Sequence, residues 1–213
     1  MLSDIDHELR YTRDYIGQEA FSERVMTALA EVPRHYFVPQ ELQVAAYDNG
    51  PLPIGHGQTI SQPYIVALMT DLLQPGAGDV ILEVGTGTGY QTAVLARLVR
   101  RVYSLEIVAP LACAAALRLQ QLGCNNVEIH HSDGYAGWPE HAPYDGIIVT
   151  AAAPYIPAAL IAQLKPGARL VIPVGYAGAE QQLLVVEKDG DGAVRERSVL
   201  PVAFVPLVNS SDK

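Results

Sequence analysis

The segment Val80-Ile81-Leu82-Glu83-Val84-Gly85-Thr86-Gly87-Thr88-Gly89-Tyr90 constrains the fold more than any other part of the chain. Its first half is a nearly continuous apolar run, as in a strand covered on both faces. Its second half supplies glycines, which let a backbone turn sharply and come close to a ligand. A helix follows to about Leu98. Strand, glycine turn and helix in that order open an α/β sheet, whose ligands bind beyond the carboxyl ends of the strands.

The chain beyond this segment keeps alternating. Residues 101–105 and 127–130 read as strands, with a helix over 110–122 between them and Gly123 as its C-terminal stop. Residues 146–150 and 169–174 are two more strands, separated by a helix over 157–164 that Lys165-Pro166-Gly167 closes. Such alternation implies parallel strands with right-handed helical crossovers, a doubly wound sheet. Residues 181–188 and 193–200 flank Asp189-Gly190-Asp191-Gly192, which reads as an antiparallel hairpin around an Asp-Gly turn. Ala203-Phe204-Val205 is read as a further strand. The sheet is therefore expected to be mixed, parallel in the middle and antiparallel at one edge.

Ahead of the core, residues 1–78 read as an addition of helices and loops. Ser22 is placed to cap a helix whose apolar stripe is Val25, Met26, Leu29 and Val32, stopped by Pro33. A Pro- and Gly-rich loop runs from Tyr47 to Gln62. Pro63 opens the next helix at its first position, where a missing N–H costs nothing, and Pro75-Gly76 ends it. The length suits one domain over 1–213: the addition at 1–78, a core at 79–178, C-terminal strands at 179–208 and a polar tail at 209–213.

Composition removes several function classes. A formal net charge of −9 argues against a broad nucleic-acid footprint, which needs Lys and Arg gathered on one face. The acidic start lacks a basic region followed by an apolar one, so no secretory signal is expected. The most apolar helical stretch, 109–122, is too short for a bilayer and carries Arg118. Cys113 and Cys124 have neither metal-ligand spacing nor a disulfide framework, so a reducing cytosol is the simplest compartment. No metal is expected: His-Glu-x-x-His is absent, and His130-His131 reads as a strand end.

The chemistry gathers at the strand ends. A dinucleotide fingerprint needs G-x-G-x-x-G; here Gly85 and Gly87 fit, but Tyr90 takes the last place and the spacing is G-x-G-x-G. No Walker lysine follows. Glu83, two residues before the first glycine, repels a pyrophosphate but suits a cationic amino group and a sulfonium, as S-adenosylmethionine has. Glu106 closes the second core strand about 20 residues beyond the turn, where an acid accepts both ribose hydroxyls of an adenosine. Asp133-Gly134 follows the third strand, where Asp can accept from an adenine amino group. Taken singly, each has a plainer reading: a packing turn, a solvated Glu, an Asp-Gly loop. Together Glu83, Glu106 and Asp133 end successive strands and are expected to face one crevice.

At Leu52-Pro53-Ile54-Gly55-His56-Gly57-Gln58-Thr59-Ile60-Ser61-Gln62-Pro63-Tyr64 the sequence resembles the protein-L-isoaspartate O-methyltransferase family. The resemblance continues through residues 83–92, Asp145-Gly146-Ile147-Ile148-Val149-Thr150-Ala151-Ala152, Ile172-Pro173-Val174-Gly175 and Phe204-Val205-Pro206-Leu207, and Arg34-His35-Tyr36-Phe37-Val38-Pro39 also fits. It covers nearly the whole chain in order. The glycine motif is common to many methyltransferases; Gln58-Thr59-Ile60-Ser61-Gln62-Pro63 is far more specific.

The resemblance implies a Rossmann-like methyltransferase fold that binds S-adenosylmethionine and releases S-adenosylhomocysteine, without a metal. It implies that Ser61 hydrogen-bonds the substrate carboxylate, and that the backbone at Thr59 and Ile60 covers the cofactor. Gly85, Thr86, Gly87, Gly89, Gly134, Thr150 and Gln181 would complete the cofactor site, and Val174 and Gly175 would lie beside the substrate peptide. Read alone, Ser61 is better explained as a helix cap ahead of Pro63, and both roles can hold at once. One departure is Leu105, where a β-branched residue is expected before the acid.

The implied activity is methyl transfer to the free α-carboxylate of L-isoaspartyl residues in damaged proteins, with D-aspartyl residues left open. The implied enzyme is a cytoplasmic monomer without nucleic-acid or membrane partners. Alternatives are a related methyltransferase acting on tRNA or a dedicated peptide, and a protein that holds the cofactor without turnover.

Overall fold

The computed structural model describes residues 1–176 and 178–209. The polar tail expected at 209–213 lies outside these from Ser210 onward. Two helices lead, α1 (Leu2–Ile16) and α2 (Glu23–Glu31), followed by two 3₁₀ turns. A short ribbon comes next, β1 (Leu52–Gly55) and β2 (Gln58–Ile60), and then α3 (Pro63–Leu73). The core alternates β3 (Val80–Val84), α4 (Tyr90–Ala96), β4 (Arg101–Glu106), α5 (Ala109–Gln121), β5 (Val127–His131), β6 (Tyr144–Val149), α6 (Ala158–Ala162) and β7 (Leu164–Val174). A hairpin of β8 (Gln181–Lys188) and β9 (Val194–Val202) ends it.

Seven strands form one sheet in the order β5-β4-β3-β6-β7-β8-β9. Pairs from β5 to β7 are parallel, and β7–β8 and β8–β9 are antiparallel, so the mixed sheet is as expected. The chain runs outward from β3 to β5, then returns to place β6 on the other side of β3. That reversal is a topological switch point, where the loops diverge and leave a crevice. Alternation along β3 explains its apolar run. Ile81 belongs to the core under α1–α4, and Leu82 and Val84 to the core on the opposite face, each at most 1% exposed. Burying a side chain of this size contributes about 1.5–3 kcal/mol.

Four local expectations are revised. The loop from Tyr47 to Gln62 contains the antiparallel pair β1–β2, in a two-stranded sheet of its own. Ser22 stands at the N-cap of α2 without a side-chain cap bond; its backbone N–H donates to Asp71 Oδ1 at 2.7 Å. β7 begins at Leu164, running through Lys165-Pro166-Gly167, and Gly167 (φ 83°) absorbs the register shift against β6. Ala203-Phe204-Val205 is not a strand. Gln181 takes its backbone instead, accepting from Phe204 N at 2.6 Å and donating to Phe204 O at 3.1 Å. The chain then crosses to the segment that follows β6, where Ala152 bridges Pro206.

α3 begins at Pro63 as expected, with Gln62 as its N-cap and no cap bond from that side chain. Asn49 serves instead, its Oδ1 accepting from Tyr64 N at 3.1 Å. Glu8 of α1 accepts in turn from Asn49 Nδ2 and from Gln62 Nε2. The middle of α1, the loop and the start of α3 are thus tied together just ahead of the core.

Candidate active site

The glycine turn sits at the switch point, between the ends of β3 and β6. Gly85 and Thr86 donate to Leu105 O at 2.8 and 3.2 Å, so the turn leans on β4. Gly85 (φ 98°) cannot carry a side chain: a Cβ there would run into the Thr150 hydroxyl, which donates to Gly85 O at 2.6 Å. A Cβ at Gly134 would overlap a Val84 methyl, so the loop after β5 also closes to backbone distance. Gly89 makes room for Leu119 of α5, and the Thr86 hydroxyl shares a hydrogen bond with Ser104 at 2.6 Å.

A crevice of about 540 Å³ opens beyond these ends, with Gly85, Gly87, Glu106, Val108, Gly134 and Leu207 in its wall. Glu106 is held rigidly there. Its Oε2 accepts from Gly87 N at 2.7 Å and its Oε1 from Val108 N at 2.8 Å. A carboxylate has about four acceptor sites, so each oxygen keeps one for a ligand hydroxyl. Apolar walls, a two-oxygen acceptor and glycine backbone fit an adenosine. Asp133 accepts from Tyr135 N at 2.9 Å and caps the turn that presents Ser132 and Gly134 to the crevice.

Glu83 does not face that crevice. It is 0% exposed and points from β3 towards α4, accepting from Thr92 Oγ1 and, at 2.6 Å, from Ser104 Oγ, while its Oε1 has no hydrogen-bond partner among the described residues. Burial pushes its pKa up to about 7, although the two hydroxyl bonds pull the other way. The expectation of three acids around one opening is corrected accordingly. Glu83 shares the Ile81 face of the strand and lies beneath the turn.

A second cavity, of about 1060 Å³, lies on the other side of β2. Glu8, Thr12, Ser61, Tyr64, Pro201 and Phe204 are among its lining residues. A smaller polar one joins Ile60, Ser61, Thr86, Tyr90 and Gln91. Thr59 and Thr150 border all three spaces, and Ser61 borders the second and third. The Ser61 hydroxyl makes no hydrogen bond among the described residues, because Asn49 caps α3 in its place. Val174 ends β7 and Gly175 follows it, with Gly175 N donating to Ala153 O at 2.9 Å, and neither is in the walls of these spaces. Gln181 reaches the site through Phe204, which it holds.

Sequence reasoning missed Glu8, Thr12 and the stretch 200–203. None carries a local motif; only tertiary packing brings them to Ser61. No group of three or more His, Cys, Asp or Glu among the described residues could hold a metal ion. No helix among them is long and apolar enough to cross a membrane.

This sheet order, with a glycine turn and a carboxylate at the switch point, is the fold of S-adenosylmethionine-dependent methyltransferases. A solved protein-L-isoaspartate O-methyltransferase superposes with TM-score 0.84 at 27% identity, covering 98% of this chain and 66% of that one. The chain belongs to the protein-L-isoaspartate(D-aspartate) O-methyltransferase family, whose pattern it matches over residues 13–212. The protein-L-isoaspartate O-methyltransferase 2 of Polaromonas sp. is 59% identical, with 97% of this chain and 98% of that protein aligned. That of Syntrophobacter fumaroxidans is 58% identical over 97% and 84%. A structure from Plasmodium falciparum, described as a putative member in complex with S-adenosyl-L-homocysteine, shares the fold with TM-score 0.78 at 24% identity.

Replacing Glu106 tests the crevice directly. Glu106→Ala should weaken S-adenosylmethionine binding by about 1.5–3 kcal/mol, roughly 10- to 150-fold, through lost charge-assisted hydrogen bonds. Calorimetry on the folded variant checks this, and unchanged affinity would remove Glu106 from the site.

Proposed function

We propose that the protein transfers a methyl group from S-adenosylmethionine to the free α-carboxylate of L-isoaspartyl residues in damaged proteins. The observation that carries this reading is the Ser61 hydroxyl. It is unused by the helix it precedes and stands where the polar space beside the glycine turn meets the larger cavity. Bound S-adenosylmethionine supplies the electrophilic methyl group. Glu106 and the Gly85–Gly87 backbone would hold the adenosine, with Gly134 backing the loop beside it and the Thr59–Ile60 backbone forming the other wall.

Ser61 would donate to one carboxylate oxygen and leave the other free to attack. A carboxyl of this kind ordinarily titrates at roughly pH 4 and is ionised at neutral pH, so no general base is required. The chain's task is then alignment and exclusion of water. Esterification gives that carbonyl a methoxy leaving group, so the following backbone amide nitrogen can attack it, expelling methanol and closing a succinimide that water reopens in part as normal aspartate. Two free cysteines favour a reducing, cytosolic setting, and the acidic net charge favours protein over nucleic-acid substrates. One chain supplies Ser61, Glu106 and Thr150 together, so a monomer suffices.

Ser61→Ala should cut methyl transfer to an isoaspartyl peptide at least tenfold and leave cofactor affinity nearly intact. A helix-cap role would instead lower stability by about 1 kcal/mol at unchanged turnover per folded molecule. Rate and thermal unfolding measured on one preparation separate the two; full turnover in the variant sinks the assignment of Ser61.

A further inference from the structure

Arg34 carries a charge that the fold buries without an acid beside it. The residue is 0% exposed, and it is in none of the ion pairs formed among the described residues. Taking a guanidinium out of water is costly, and burial lowers its pKa. Its hydrogen bonds show what it holds. Nε donates to Ala46 O at 2.8 Å, and Nη2 donates to Ser61 O at 2.7 Å. These carbonyls stand at the two ends of the long segment that contains the β1–β2 ribbon. The guanidinium also lies over the Tyr90 ring, 4.7 Å from its centroid, and Tyr90 opens α4 directly after the glycine turn. One planar group therefore closes the base of the Ser61 segment and presses it onto the cofactor turn.

We propose that Arg34 is a positioning residue for methyl transfer, fixing the Ser61 hydroxyl relative to the glycine turn. The inference rests on the assignment of Ser61 to the substrate carboxylate. Its physical basis is the fork: five donors in one plane bond two carbonyls while the face stacks on a ring. A lysine keeps the charge but has one compact head, so it cannot hold both carbonyls and stack.

The test is a double-mutant cycle on the full chain with Arg34→Lys, Ser61→Ala and the pair, using an isoaspartyl peptide and labelled S-adenosylmethionine. Arg34→Gln, which keeps a donor for one carbonyl, is run in parallel and should show the same coupling. Arg34→Lys should lower kcat about 10- to 100-fold, as expected for misplacement by about 1 Å, while the cofactor Kd stays within about threefold. Because Arg34 acts through Ser61, the double variant should be no slower than Ser61→Ala alone, within about twofold. Full kcat in both Arg34 variants overturns the inference, and so do losses that multiply in the double variant. If Ser61→Ala alone turns over at the wild-type rate, the Ser61 assignment falls and takes this route with it.

Discussion

A peptide containing L-isoaspartate should be methylated at least about a hundredfold faster than the same peptide with L-aspartate. The two differ in which carboxylate enters the main chain, so the free carboxylate sits one methylene nearer the α-carbon in the isoaspartyl form. The site is built to notice that step. Ser61 stands at the junction of two spaces whose shared border, Thr59 and Thr150, is fixed by ribbon pairing and by the Thr150 bond to Gly85 O. The peptide would lie in the larger cavity, against Pro201–Phe204, with its carboxylate at Ser61. A displacement of about 1 Å can cost roughly a hundredfold in rate, so discrimination should appear in kcat as well as in KM. Equal labelling of the two peptides would refute the assignment. So would labelling of neither beside robust labelling of tRNA, though the fold would stand.

The second large effect concerns stability. Glu83→Gln should become more stable relative to the wild type as pH rises from about 4.5 to about 7, by on the order of 3 kcal/mol in all. The sign follows from the raised pKa. Unfolded, the carboxyl releases its proton near 4.5; folded, it keeps the proton to about 7. Between these values the native state binds more protons, so wild-type stability falls with pH and then levels off. Glutamine keeps an acceptor for Thr92 and Ser104 and never ionises, so it escapes that loss. Urea unfolding of both proteins at pH 4.5, 6 and 8 measures the difference, in which the other carboxylates cancel. A difference that stays flat with pH would show Glu83 ionised in the fold throughout.

What the sequence discloses is local pattern, and what it conceals is direction and distant partnership. Val80–Val84 is legible because a strand covered on both faces must be apolar at both parities. The hairpin of β8 and β9 is legible because its turn residues declare it. Glu83 is misleading for the same reason: an acid at a strand end looks solvent-facing, and nothing nearby says that Thr92 and Ser104 wait on its face. The strand expected at Ala203–Val205 fails because Gln181, far back in the chain, takes the Phe204 backbone. Asn49 likewise caps α3 across the intervening loop, which frees Ser61 for other use. The family resemblance reaches Ser61 and Thr59 directly, but not Glu8 or Thr12, which enter only through the packing of α1.

The β1–β2 ribbon stands apart from the seven-stranded sheet, and its tip bends through three successive left-handed residues, Gly55, His56 and Gly57. A two-stranded ribbon on its own is marginally stable in water. This one is the wall between the two ligand spaces, with Thr59 facing both. Its strands belong to a two-stranded sheet, whereas β3 and β4 are each paired on both sides, so its amide protons should exchange sooner than those of the β3–β4 ladder. A ligand on either side of Thr59 would hold the ribbon further against such opening, to the benefit of the ligand on the other side. Cofactor and peptide should then be linked in affinity through that shared wall.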